Sequence, residues 1–91
     1  MNISIIAKQL NISSAVVQKE SIKNFLERKF LETKTEIFVL ANKYGAETLK
    51  EFDCLIKKGK IHETSDSRED FFKLDYLESK LQTLQKLIKS L

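Results

Sequence analysis

The chain has 91 residues, no proline and two glycines, where average usage would put roughly eleven of the two together. With 32% charged residues, 42% apolar residues and a net charge of +3, it reads as amphipathic helix with few tight turns. That excludes a small β-barrel or sandwich, which turns about every ten residues, and a Rossmann or P-loop unit, which needs a glycine-rich loop against phosphate.

In chain order, the first feature is residues 6–18, which look like the two-helix core of a helix-turn-helix. Ala7 is the small residue that lets two short helices cross closely, Asn11 is the polar turn residue and Ile12 the apolar residue after it. Ser13 is a serine cap, and Val17 would face back to the first helix. If this unit meets DNA, its would-be recognition helix offers Ser14, Gln18 and Lys19. It has no arginine there, and the chain as a whole carries fourteen lysines to two arginines, so a duplex is permitted and not required. The alternative is that residues 1–20 use the same shape to dimerise or to cap the fold.

A long central helix follows, starting at Ser13 or Ser14 and ending at Gly45, a natural left-handed C′ residue. Ile22, Phe30, Thr33, Ile37, Leu40, Ala41 and Tyr44 all fall within about 60° of Leu26 and form one stripe with it. Leu31 and Phe38, seven apart, lie more than about 100° from that stripe, and Phe25 lies on yet another side. One helical mate cannot cover all of them. Helix propensity dips at Thr33-Lys34-Thr35-Glu36, which leaves continuity there open.

Thr48 and Glu51 have capping-box spacing and open a short helix. Its apolar face is Leu49, Phe52, Leu55 and Ile56, Cys54 lies opposite, and Lys57-Lys58-Gly59 closes it. Residues 60–66 have no period and read as the loop. The last helix is placed at residues 67–90 with Ser67 as its cap. Leu74, Leu77, Leu81, Leu84, Ile88 and Leu91 are spaced 3, 4, 3, 4, 3 and form its buried seam, while Phe72 and Tyr76 point away from it. The expected fold is all-α: an antiparallel hairpin of two long helices over residues 13–91, with a short helix at the bend and a short helix-turn-helix-like pair at residues 1–20, one domain overall.

Chemistry-bearing residues are sparse. His62 and Cys54 are the single histidine and cysteine, and neither has ligand or triad spacing. His62 reads as a solvated loop residue, and Asp70, Asp75 and Glu78 as complements of the helix dipole. The expectation is a protein that is not an enzyme and uses no cofactor or metal. Cys54 has no internal partner, and the apolar run near Met1 is too short for a signal h-region or a membrane span, so a cytoplasmic protein without membrane contact is expected. Apolar surface beyond what one hairpin covers points instead to a protein partner met by Leu31, Phe38, Phe72 and Tyr76, and to a homodimer.

Several blocks of the chain carry a family likeness: Leu10-Asn11-Ile12-Ser13, Phe25-Leu26-Glu27, Lys43-Tyr44-Gly45, Glu51-Phe52-Asp53, Leu55-Ile56-Lys57-Lys58-Gly59-Lys60-Ile61, and Leu74-Asp75-Tyr76-Leu77-Glu78. Through them it resembles small helical prokaryotic proteins encoded beside a toxin-like gene, the antitoxin half of type II toxin–antitoxin pairs. The resemblance implies a non-catalytic protein that binds and neutralises a cognate toxin. A helix-turn-helix transcriptional regulator and a structural coiled-coil subunit of a larger complex remain the alternatives.

Overall fold

A computed structural model describes residues 1–91 as four helices and no strands. They are α1 (Ile3–Leu10), α2 (Ser14–Asn42), α3 (Leu49–Lys57) and α4 (Ser65–Lys89). The molecule is the expected hairpin: α4 folds back along α2, α3 packs on α4 at the bend, and α1 packs on the start of α2. It is elongated, with extents of 61 × 23 × 17 Å.

All three turns close in the same way. A residue with positive φ ends each helix and lets the next N–H reach back to a carbonyl five residues earlier, the Schellman bond. Asn11 (φ 55°) sends the Ile12 N–H to Ala7, Gly45 (φ 75°) sends Ala46 to Ala41, and Gly59 (φ 73°) sends Lys60 to Leu55. Both glycines therefore sit where a side chain would be strained, and asparagine, the non-glycine residue most tolerant of that region, serves at the third.

The helix starts are capped by hydroxyls and an amide. Asn2, Ser13, Thr48 and Thr64 accept from the N–H groups of Ile5, Ala15, Glu51 and Ser67. The last of these corrects the expected start of α4. Ser67 is not the cap but the third residue of the helix, and its buried Oγ accepts the Thr64 N–H at 2.8 Å in a reciprocal capping box. The loop is accordingly shorter than expected, and within it Ile61 is buried in the core. α2 is unbroken through residues 33–36, and within it Thr33 and Thr35 donate their hydroxyls to the carbonyls of Lys29 and Leu31 at 2.8 and 2.9 Å. The hydroxyl of Thr33, buried in the seam, is thus satisfied without a cross-chain partner.

The core sits at the bend. Ile37 and Ala41 of α2, Phe52 of α3, and Leu74 and Leu77 of α4 form one buried cluster with Ala46 and Ile61. The Phe52 ring lies edge-on to Tyr44 at 4.6 Å and tilted against Phe71 at 5.9 Å, so one side chain ties three helices together. A polar clasp fixes the same level from outside: Asp70 of α4 accepts hydrogen bonds from the Lys43 ammonium at 3.0 Å and from the Tyr44 hydroxyl. Away from the bend the seam thins to Leu81, Leu84 and Ile88. It does not reach Leu91, which lies beyond the Ser90 cap and is half-exposed.

Candidate protein-binding surface

The residues expected to anchor a partner are all on the outside: Leu31 is 65% exposed, Phe38 58%, Phe72 67% and Tyr76 64%. Helix geometry explains why. α4 lies against the Ile37–Ala41 side of α2, and Leu31 and Phe38, one heptad apart, fall well round the helix from it. Phe72 and Tyr76, one turn apart, lie on the outer side of α4, opposite Leu74 and Leu77.

The structure does not gather the four into one patch. Phe38 lines a hollow of about 410 Å³ between α2 and α4, together with Lys34, Glu78 and Leu81. Phe72 lines a smaller one against α3, beside Ile56, Arg68 and Asp53, with its ring edge-on to Phe71 at 5.8 Å. Phe71 takes the place against Phe52, and Phe72 stacks outside it.

The Phe38 hollow is the better built of the two. Glu78 Oε1 accepts the Leu49 N–H at 3.1 Å, satisfying an otherwise unpaired donor at the start of α3 and holding that helix end in place. α3 thus stops where the hollow begins. Beyond it the two long helices continue with no third helix over them; Phe38 lines the hollow, and Leu31, one heptad earlier, is exposed on the outer side of α2. Val39, on the other edge of α2, is also exposed and lines a second groove with Lys43 and Lys73. It was not singled out in the sequence because it falls in neither stripe.

Charge near these surfaces is arranged for structure. The Asp70 carboxyl is held below the ordinary carboxylate range by the hydrogen bond from Tyr44 and by the bond and charge of Lys43, which together outweigh its burial. Burial pushes the Tyr44 phenol up, and its bond to Asp70 adds to the rise. Lys57 is raised by its hydrogen bond and ion pair to Asp53, one helical turn away at 2.9 Å. His62 and Cys54 are solvent-exposed, and no three His, Cys, Asp or Glu side chains come close enough to hold a metal ion. No helix is long and apolar enough to cross a membrane.

Over residues 1–91 the sequence matches the profile of the uncharacterized protein MJ0235 family. The chain belongs to that family. No curated protein and no solved structure matches it. In this member of the family, sequence reasoning missed the N-terminal end. The helix-turn-helix-like turn forms, with Ala7 buried and Val17 half-buried, but Ile12 is exposed and so are Leu10 and Val16. The second helix of the expected short pair is the start of the long α2, and the eight-residue α1 packed on it buries little with no third helix to cover them. Ile22 belongs to the central stripe and yet is exposed, because α4 does not reach it. Ser14, Gln18 and Lys19 also lie exposed on this uncovered stretch.

Proposed function

We propose that this protein is a non-catalytic protein-binding module that seats a partner along α2 beside Phe38 and Leu31. The observation behind this reading is that Phe38, in the hollow at the start of α3, and Leu31, one heptad away on the outer side of α2, stay in water after every helix of the chain has been placed. Fixed helices carrying Phe and Leu anchors, with Lys34 and Glu78 at the edge for orientation, suit a protein surface better than a small molecule. The resemblance to antitoxins narrows the partner to a small toxin encoded by the adjacent gene, whose active surface the chain would mask.

Co-expression with the adjacent gene's product tests this. The wild-type chain is expected to co-elute with that product and relieve its growth inhibition. Phe38→Asp, which places a charge on an exposed helix and leaves the fold intact, is expected to weaken the complex more than tenfold. Binding that Phe38→Asp and Leu31→Asp leave unchanged overturns the site. A product that neither inhibits growth nor binds overturns the toxin reading.

Contact with DNA through Ser14, Gln18 and Lys19 is the second reading, supported by the formed turn and the exposure of those three side chains. It calls for a gel shift on upstream duplex that falls steeply with salt and is lost on Lys19→Ala. A shift indifferent to both counts against it.

A further inference from the structure

The charge of the rod is divided between its two ends. The contact of Asp70 with Lys43 and Tyr44 sets residue 70 of α4 beside residues 43 and 44 of α2, and equal helical rises then bring Ser79 opposite Thr35. On the open side of that level, residues 1–35 and 79–91 carry nine Lys and Arg against three Glu, a net +6. On the bend side, residues 36–78 carry seven Lys and Arg against ten Asp and Glu, a net −3. The mild +3 of the whole chain conceals this division.

Exposed apolar side chains gather at the basic end. Eleven of the fifteen large ones lie on the open side, among them Leu10, Ile12, Val16, Ile22, Phe25 and Leu87. Lys8, Lys19, Lys23, Lys86 and Lys89 are exposed around them, and no Asp or Glu precedes Glu20. The end is also convex. None of the hollows in the molecule reaches residues 1–33 or 82–91. Nor do its apolar side chains share one face, since Ile5 lies about 160° round α1 from Ile3 and both are exposed.

We infer that the open end of the rod docks on an anionic lipid bilayer. Its occupant must be both apolar and negative, and must close around a convex tip. A bilayer surface meets all three demands: its acyl boundary takes the aliphatic side chains, its phosphates take the lysines, and it is fluid. A second copy fails on charge, because Lys19 lies on the same uncovered face of α2 as Ile22 and would meet cations of its own kind. A DNA duplex, the second reading above, uses the cations but leaves most of the aliphatic side chains in water. No span is required. α1 and the start of α2 enter only the headgroup boundary, about 5–10 Å deep, so the short apolar run near Met1, which excludes a spanning helix, does not exclude this contact. Phe38 lies in the bend half, so the inference stands apart from what its hollow binds.

Co-sedimentation of the full chain with vesicles tests it. Vesicles of phosphatidylcholine with about 30% phosphatidylglycerol should bind the chain more than tenfold more tightly than phosphatidylcholine alone. Raising salt from about 0.1 M to about 0.5 M should weaken that binding. Ile12→Ser with Val16→Ser removes apolar surface at constant charge, and Lys19→Gln with Lys23→Gln removes charge at constant apolar surface; each pair should weaken binding more than tenfold, with helix content retained by circular dichroism. Phe72→Ser with Lys58→Gln, at the bend, should leave it unchanged. An environment-sensitive dye on Ile12→Cys in a Cys54→Ser background should shift to the blue on anionic vesicles, and the same dye on the native exposed Cys54 should not. Failure to bind the anionic vesicles overturns the proposal, and so does equal binding to neutral ones. Anionic binding that both open-end pairs leave unchanged overturns it as well. Binding of duplex DNA in place of vesicles would assign the lysines to nucleic acid instead.

Discussion

Replacing Phe52 by alanine is expected to lower the unfolding free energy by about 3–5 kcal/mol, the cost of emptying a fully buried aromatic site. Phe52 has no exposed surface and is the one buried residue of α3. Its ring meets Tyr44 and Phe71, so the substitution removes two aromatic contacts worth about 0.5–1.5 kcal/mol each beyond area, along with the transfer of the ring from water. A single core of this size supplies only a few kcal/mol of net stability, so the variant should be largely unfolded in plain buffer. Urea unfolding in the presence of sucrose keeps it measurable. Phe52→Leu should retain part of the stability, and Lys50→Ala, on the exposed side of the same helix, should change it by no more than about 0.5 kcal/mol. A loss below about 1 kcal/mol for Phe52→Ala would mean that α3 is not docked and that the Phe38 groove has no fixed end.

The weight of Phe52 bears on what the sequence made legible. The helices were readable because local rules agreed with one another. Seam spacing placed α4, the Thr48 cap placed α3, and the two glycines placed the bend, each within a turn of where it lies. The start of α4 was misread because serine three residues before an acid imitates a capping box, and only the buried Ser67 hydroxyl bonded back to Thr64 separates third position from cap. Which residue would be the keystone was not readable, since Leu49, Phe52, Leu55 and Ile56 look alike on one face and only the arrival of α4 decides which of them is enclosed. The exposure of Leu31 and Phe38 was readable from angle alone. The uncovered N-terminal end was not, because it depends on register. Heptad spacing in α4 fits α2 equally well one turn up or down, and a slip of one turn moves the end of α4 by about 5.4 Å.

The clasp of Asp70 with Lys43 and Tyr44 at the bend gives the second effect, through its titration. Tyr44→Phe is expected to cost about 1.5 kcal/mol at pH 7, the low end for a hydrogen bond to a charged acceptor, because the site is only partly enclosed. The sign of its pH dependence follows from which form each group holds. Asp70 is depressed, so its contribution is present above the unfolded carboxyl value near 4 and is lost as pH falls through the lower folded value. Tyr44 and Lys43 are raised, so theirs are present below about 10 and are lost as pH rises through the higher folded values. Between about pH 5 and 9 the clasp should contribute a constant amount. Urea midpoints for wild type and Asp70→Asn, measured at pH 2, 3, 5 and 7, should converge as acid protonates Asp70, and the difference between the two curves removes the carboxylates they share. Parallel curves with no convergence would show that Asp70 is not held as an anion by Tyr44 and Lys43.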